Sequence, residues 1–520
     1  MSLLPTEPTE EQCQIIERFQ DKAATIIEAG PGCGKSTTIG LMARELSHQD
    51  RTASLCLAFN KDITLSLEKK VPNTLPVRTF NSFGQETWAS YIGTGVQVQT
   101  TKSSGLLRAI QQDGKWSIAS EEVSDLKTLI SMAKSLGYLP KGTGSALKSF
   151  IDFPTLCATA DLRPYPHWHS MLDQILALSI QAAFKRMIDF DDQLYMPVFF
   201  APSSNFPEKA FIFIDEAQDL SPIQLRFIKR LKPAKAIFVG DPMQAIYAFR
   251  GAMSDSMEQI RNEWPEHQIL PLQTSFRLPT KIVGLLQDHN PALKPGKPSQ
   301  GHLETLEGTF SLEQLDNASF GKSRAILCRN NAPLFRVALA CLASRCRFHI
   351  ANPNFGRGLI ADIRRACTAA RSQEAKALVQ VMYRYWYRSG MDVKDLDLLA
   401  DKAATLEILS TGCTSALDVI NLIESLLRTQ NLSDSSKPFV LSTGHKAKGL
   451  EFEWVLHLDP GLIPAKFASS PEELLQEKNI AYVINSRSLE TLLFANSGQI
   501  VIPGAAKIRS RPDLRQDQPV

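Results

Sequence analysis

No apolar stretch in this 520-residue chain approaches the roughly 18 residues that crossing a bilayer requires, although 43% of its residues are hydrophobic. No membrane partner is therefore expected. The opening residues, Met1-Ser2-Leu3-Leu4-Pro5, lack a basic region followed by a long apolar segment, so export is not expected and a cytoplasmic location is. Nine cysteines are scattered without a CxxC pair, and the two nearest in sequence, Cys341 and Cys346, have no neighbouring histidine. That pattern points to neither a zinc site nor a disulfide framework. No internal repeat at a solenoid period is present. A net charge of +3 is too small for bulk electrostatics to capture a polyanion, so any nucleic-acid binding has to come from a local groove.

The length exceeds one ordinary hydrophobic core and predicts two to four folding units. Within it, Ala29-Gly30-Pro31-Gly32-Cys33-Gly34-Lys35-Ser36 follows an apolar strand and precedes a helical pattern. Glycines at these places let backbone N–H groups curl around a polyphosphate, Lys35 supplies a point charge to its β and γ oxygens, and Ser36 offers a hydroxyl to Mg²⁺. Far downstream, the apolar run Phe211-Ile212-Phe213-Ile214 ends in Asp215-Glu216: Asp215 for the metal, Glu216 to orient an attacking water. The pair predicts a Mg²⁺-dependent motor driven by a nucleoside triphosphate. Cys33 reads as a small filler, since phosphoryl transfer needs no covalent intermediate.

About 180 residues separate Lys35 from Asp215, more than one parallel sheet needs, so an insertion is expected. Strands are predicted at 25–28, 54–59, 210–214 and 235–239, and a helical stretch from about Trp88 to Phe184. A second unit is expected to open near Phe276, with strands at 325–328 and 452–458 and a helical interruption from roughly Ile360 to Arg428. The end, 505–520, carries Arg509, Arg511, Arg515, Pro512 and Pro519 and reads as a disordered basic tail.

Beyond the carboxylate strand, Val239-Gly240-Asp241-Pro242-Met243-Gln244-Ala245-Ile246-Tyr247-Ala248-Phe249-Arg250-Gly251 resembles the third motif of UvrD/Rep-type superfamily 1 DNA helicases. Other segments fall in the same family's order. Thr9-Glu10-Glu11-Gln12 resembles the glutamine motif that reads adenine, and Leu57-Ala58-Phe59-Asn60-Lys61 and Arg78-Thr79-Phe80-Asn81-Ser82-Phe83 resemble strand-gripping segments. Gln273-Thr274-Ser275-Phe276-Arg277, His445-Lys446-Ala447-Lys448-Gly449-Leu450-Glu451-Phe452 and Asn485-Ser486-Arg487 resemble motifs four, five and six. The wording is nearest the F-box DNA helicase branch, without an F-box.

The resemblance implies two RecA-like parallel α/β lobes, each interrupted by a helical insertion. The first lobe is expected at 1–88 and 186–275 around an insertion at 89–185; the second at 276–360 and 437–500 around a reduced insertion at 361–436. It implies a triphosphate held between the lobes, so that γ-phosphate charge decides whether they close. Arg277 and Arg487 are then arginine fingers and Gln244 a γ-phosphate sensor. Gln12, Gly30, Gly32, Gly34, Lys35, Ser36, Thr37, Phe276 and Glu451 complete the ATP set. Two departures stand out. Motif six has Ser486-Arg487-Ser488 for the usual Thr-Arg-Ala, which is expected to loosen packing of the arginine, and Phe276 replaces a tyrosine, keeping a ring for adenine while losing a hydroxyl.

Single strands are gripped by cations along phosphates and by aromatic faces. Phe59, Phe80, Tyr247 and Phe249 are the aromatic candidates, and Asn60, Lys61, Thr79, Asn81, Arg250, His445 and Lys448 the polar ones. Two further segments have plainer readings. Met382-Tyr383-Arg384-Tyr385-Trp386-Tyr387-Arg388 recurs at helical spacing and is expected to pack a core, and Asp189-Phe190-Asp191-Asp192 is expected to cap a helix or support the core rather than bind metal.

Two activities follow. One is a 3′-to-5′ single-stranded DNA translocase that unwinds duplex DNA or strips bound protein; the other is a nucleotide-gated binding or signalling module acting with a partner. A helicase-nuclease in one chain is not expected, since about 30 residues follow Arg487, so any nuclease is expected as a separate protein. With only about 70 residues for the second insertion, the resemblance implies a motor less restrained by that element or one governed by a partner.

Overall fold

A computed structural model describes residues 7–502, apart from 115, 117, 119–121, 145–146, 161, 163–164, 247–255, 320, 352, 371–373, 389–395, 429–436 and 467. Contacts divide the chain into two compact units. One comprises the chain through Arg277 together with Ala292–Gly296; the other comprises Leu278–Pro291 and the chain from Lys297 onward.

The first unit is built on a six-stranded sheet in the order Val77–Thr79, Leu55–Ala58, Phe211–Ile214, Lys235–Gly240, Ala24–Ala29, His267–Leu272, with every neighbouring pair parallel. Short continuous apolar runs form its centre because helices cover both faces: all four residues of Phe211–Ile214 and of Leu55–Ala58 are buried. Between Val77–Thr79 and Phe211–Ile214 the chain leaves to build the helices Lys102–Gln112, Glu122–Leu136, Phe153–Thr159 and Trp168–Phe184. They have their own core, in which Leu126, Leu129, Ile130 and Met132 meet Trp168, Leu172 and Leu176. A short parallel pair, Gln97–Val98 with Met187–Ile188, closes the root of this excursion.

The second unit has another all-parallel sheet, ordered His302–Thr305, Ser488–Ala495, Phe452–Leu458, Arg324–Cys328, Phe439–Thr443, Phe348–Ile350. The helices Pro353–Ala370, Leu378–Arg388, Leu396–Ser410 and Ala416–Arg428 are not a satellite of this sheet. Leu359, Met382, Trp386, Leu406 and Ile423 lie in the same apolar cluster as Phe439, Leu441, Trp454 and Leu456 of the strands. The core reading of Met382–Arg388 therefore holds for Met382 and Trp386, while Tyr383 stays exposed. The expected two-lobed parallel α/β architecture is what the chain adopts. Positions 505–520 lie outside the described residues.

Candidate nucleotide site and strand-contacting surface

Parallel sheets present their functional loops at the carboxyl ends of the strands. In the first unit the phosphate loop follows Ala24–Ala29, Asp215 follows Phe211–Ile214, Asp241 follows Lys235–Gly240, and Gln273–Arg277 follows His267–Leu272. The loop turns through Gly32 (φ 74°) and Gly34 (φ 88°) into the helix Lys35–Glu45, conformations that a side chain resists. A Cβ on Gly32 would collide with the Arg277 side chain, lying 3.1 Å from its Nε.

Ser36 Oγ donates to Asp215 Oδ2 at 2.9 Å, bringing two hard oxygen donors together across the sheet. Burial, and next the Glu216 carboxylate, push the Asp215 pKa up to about 6, against the pull of Lys35 and of the Ser36 hydrogen bond. Lys35 loses solvation, but Glu216, Asp241 and Asp215 outweigh that loss and hold its pKa above the ordinary lysine value, while Arg277 opposes. An ammonium surrounded by three carboxylates and an arginine is thus kept charged at neutral pH. Glu216 adopts a left-handed backbone (φ 53°), its N–H donating to Asp215 Oδ1 at 2.9 Å and its Oε2 accepting from Gln218 Nε2 at 2.6 Å. Gln244, buried, donates through Nε2 to Asp241 Oδ2 at 2.7 Å, and the Asp241 N–H donates to Gln218 Oε1 at 3.0 Å. One chain of hydrogen bonds therefore links Glu216 to Gln244. Burial pushes the Cys33 thiol far up, which fits a filler and not a nucleophile.

Gln12 is fixed by a capping box with Thr9 and donates from Nε2 to Thr38 Oγ1 at 3.1 Å; Thr38 Oγ1 in turn donates to Gly34 O at 3.0 Å. Phe276 donates its N–H to Gly32 O at 3.1 Å, and its ring lies against Gly296. Gln12, Gly30, Gly32, Gly34, Lys35, Ser36, Thr37, Asp215, Glu216, Gln244, Phe276 and Arg277 accordingly all belong to the first unit. Arg277, expected on the second lobe, is its last residue before the chain crosses over.

Glu451 and Arg487 belong to the second unit, each immediately before one of two paired strands that begin Phe452↔Ser488. Arg487 is buried, its guanidinium donating to Val483 O (2.8 Å), Leu450 O (3.3 Å) and Ser486 Oγ (2.7 Å). The loosened packing expected from Ser486 is not what this geometry shows. The serine hydroxyl accepts from the guanidinium and donates to Val483 O at 3.0 Å. His445 and Lys448, both half-buried, follow the strand Phe439–Thr443.

The strand-contacting candidates divide. Phe59 is half-buried, Lys61 exposed, and Asn60 exposed while capping the helix Lys61–Glu68. Thr79 caps the next helix. Phe80 is fully buried, with Phe59 edge-on at 5.9 Å between ring centres, so the stacking expectation for Phe80 is replaced by a core role. Asn81 donates from Nδ2 to Phe190 O and Gln193 Oε1, both at 2.8 Å, leaving its carbonyl oxygen for other contacts. Tyr247, Phe249 and Arg250 lie outside the described residues.

Phe190 carries no site expectation from the sequence, yet its side chain is exposed between the buried Asp189 and the half-buried Asp191; an aromatic between acids was the available signal. It also missed Thr38 and Asp241, the latter signalled, like Asp215, by an acid ending an apolar run. Around Phe190, Lys134 Nζ pairs with Asp189 Oδ2 (2.7 Å) and Asp192 Oδ1 (2.8 Å), and Lys102 pairs with Asp192. The cluster ties the inserted helices Lys102–Gln112 and Glu122–Leu136 to the start of the helix Asp192–Phe200, as a supporting role requires. No group of three or more His, Cys, Asp or Glu side chains that could hold a metal ion occurs among the described residues, and none of the described helices is long and apolar enough to cross a membrane.

Residues 9–265 match the UvrD/REP helicase N-terminal domain and residues 361–497 the UvrD-like helicase C-terminal domain. Among curated proteins, the chain is 22% identical to the ATP-dependent DNA helicase Rep of Buchnera aphidicola over 50% of this chain and 39% of that protein. It is 26% identical to F-box DNA helicase 1 of Gallus gallus over 55% of this chain and 29% of that protein. A shorter stretch, 14% of this chain and 7% of the relative, is 44% identical to the RecBCD enzyme subunit RecB of Borreliella burgdorferi. The matched stretches span well under half the length of each relative. With the two domain matches in order, and a phosphate loop, carboxylate strand and crossing arginine assembled on one parallel sheet, the chain belongs to the UvrD/Rep helicase family.

Proposed function

We propose that the chain is an ATP-dependent, 3′-to-5′ translocase on single-stranded DNA that unwinds duplex DNA or strips bound protein. The observation that carries the nucleotide half is the Ser36–Asp215 hydrogen bond of 2.9 Å beside a Lys35 held charged. Two oxygens so placed suit Mg²⁺, and a carboxyl whose ionisation is opposed by burial and by Glu216 is one that a cation relieves. When bound, Mg²⁺ neutralises charge on the β and γ oxygens. Lys35 and the loop N–H groups bind the polyphosphate, Glu216 orients the attacking water, and Gln244 reports γ-phosphate to the Asp241 network. Arg277 stabilises charge on the transferred group. Arg487 and Glu451 take their ATP roles from the motif resemblance alone, as do Gln12 and Phe276 for adenine.

For the strand, Phe59, Asn60, Lys61, Thr79, Asn81, His445 and Lys448 are proposed contacts, with Tyr247, Phe249 and Arg250 from the third motif. Phe190 joins them, because its side chain is exposed and its backbone carbonyl accepts from the Asn81 amide. The relatives' names support DNA as the track, and polarity follows the family resemblance. Displacement of a labelled strand from duplexes with a 3′ or a 5′ single-stranded overhang tests this reading. Unwinding of the 3′-tailed substrate alone is expected; ATP turnover with no displacement of either would favour the nucleotide-gated binding module.

A further inference from the structure

Glu11 stands one position before Gln12 on the helix Glu10–Arg18, and its side chain is half-buried. Oε2 accepts the backbone N–H of Gln273 at 2.9 Å and of Thr274 at 3.0 Å, and Lys294 Nζ lies 3.8 Å from Oε1. Only 18% of the Glu11 side chain is exposed, against 69% for Lys294, so the backbone pair is the shielded contact and the lysine the solvated one. A carboxylate shared by two successive N–H groups forms charge-assisted bonds and fixes the direction in which the chain leaves the edge strand His267–Leu272.

From that point the segment is fastened to the strand Ala24–Ala29 and to the phosphate loop that follows it. Gln273 Nε2 donates to Glu28 O at 2.9 Å, Ser275 Oγ to Pro31 O at 2.7 Å, and the Phe276 N–H to Gly32 O at 3.1 Å. Arg277 comes next, and its side chain covers Gly32. One short helix therefore carries both Gln12, bonded to the phosphate-loop helix through Thr38, and the carboxylate that anchors the crossing segment.

We propose that Glu11 is a positioning residue for ATP hydrolysis: its carboxylate sets Gln273–Arg277 against the phosphate loop, so that the Arg277 guanidinium is held over the polyphosphate. It acts through Arg277 and not on the nucleotide. The inference rests on the nucleotide-site reading above. Displacing a transition-state arginine lowers turnover more than substrate binding, which gives the role its kinetic signature.

Steady-state ATP hydrolysis and thermal melting of the full chain test it with Glu11→Ala, Glu11→Gln, Arg277→Ala and the Glu11→Ala/Arg277→Ala double variant. Glu11→Ala is expected to lower kcat about tenfold with KM for ATP within about threefold, and Glu11→Gln, which keeps an acceptor oxygen, to recover most of the loss. The double variant should be no slower than Arg277→Ala alone, within about twofold. Losses that multiply in the double variant, an unchanged kcat in Glu11→Ala, or a melting temperature that falls in step with kcat in both Glu11 variants would overturn the proposal. An inactive wild type, or a Lys35→Ala variant as active as wild type, would instead overturn the nucleotide-site reading beneath it.

Discussion

Ser36 Oγ and Asp215 Oδ2 lie 2.9 Å apart although 179 positions separate them in the chain. The sheet makes the pair, because Phe211–Ile214 and Ala24–Ala29 end on the same edge with Lys235–Gly240 between them. Removing the ammonium beside this pair should stop the chemistry without dismantling the fold. Lys35→Ala is expected to abolish ATP turnover and to leave single-strand affinity within about threefold, measured by fluorescence anisotropy in a stated salt concentration. Turnover that survives would show that the phosphate cradle lies elsewhere.

Gly32 supplies a steric test of the same place. Its left-handed backbone and the Arg277 side chain over it leave no room for a methyl group. Gly32→Ala should reduce kcat about a hundredfold or more while the melting temperature moves little, since the loop lies at the edge of the core. Activity within about twofold of wild type would mean that Arg277 is not held where the structure has it.

Much of this was legible in the residues, for physical reasons that also explain the rest. That Lys35, Ser36, Asp215 and Glu216 come together was readable because a polyphosphate site, as the motifs lead one to expect, needs glycines, a cation and an acid ending a buried strand. The helices between Trp88 and Phe184 were readable from apolar spacing. The fate of Phe80 was not, because a phenylalanine on a strand-gripping motif and one in a core have the same sequence signature. Phe190 was hidden for the opposite reason: its neighbours Asp189 and Asp192 are buried by pairing with Lys102 and Lys134, partners 55 to 90 positions away. Ser486 looked like a weakened motif because its hydroxyl contacts become visible only once Val483 and Arg487 are in place.

Phe80 and Phe190 now separate core from surface. Phe80→Ala should cost about 3–5 kcal/mol of stability, the usual result of emptying a buried aromatic site. Phe190→Ala should leave stability within about 0.5 kcal/mol and weaken single-strand binding by about 1–3 kcal/mol. Urea unfolding and strand titration on both variants decide the matter; an unstable Phe190→Ala with normal binding would make it a packing residue.

The shared core of the second unit makes a further demand. Because Met382, Trp386, Leu406 and Ile423 pack with strand residues Phe439 and Trp454, excision of 366–430 should yield a chain that loses cooperative unfolding of that unit, not a freed motor. Trp386→Ala alone should cost about 3–5 kcal/mol. A truncated protein that melts cooperatively and unwinds faster would contradict the shared core and make this region a removable restraint.

His457 gives a pH signature. Buried in the strand Phe452–Leu458, it has its pKa lowered by desolvation to about 4 from an ordinary 6.5, with Asn485 bonding to Nδ1 at 2.8 Å and partly offsetting the loss. The unfolded chain binds this proton more readily, so the stabilisation is complete above pH 6.5 and is lost as pH falls through 4. The difference is on the order of 3 kcal/mol. Urea midpoints at pH 5 and 7 should converge in His457→Gln relative to wild type; equal pH slopes in the two proteins would remove His457 from the account.

The most direct test is ATP hydrolysis by the full chain with Mg²⁺, with and without single-stranded DNA, beside the Lys35→Ala variant. Hydrolysis that single strands accelerate, and that the lysine substitution eliminates, is the expected result. A turnover rate indifferent to DNA, or one that persists without Lys35, would contradict the claim that this sheet edge is a strand-coupled ATP site.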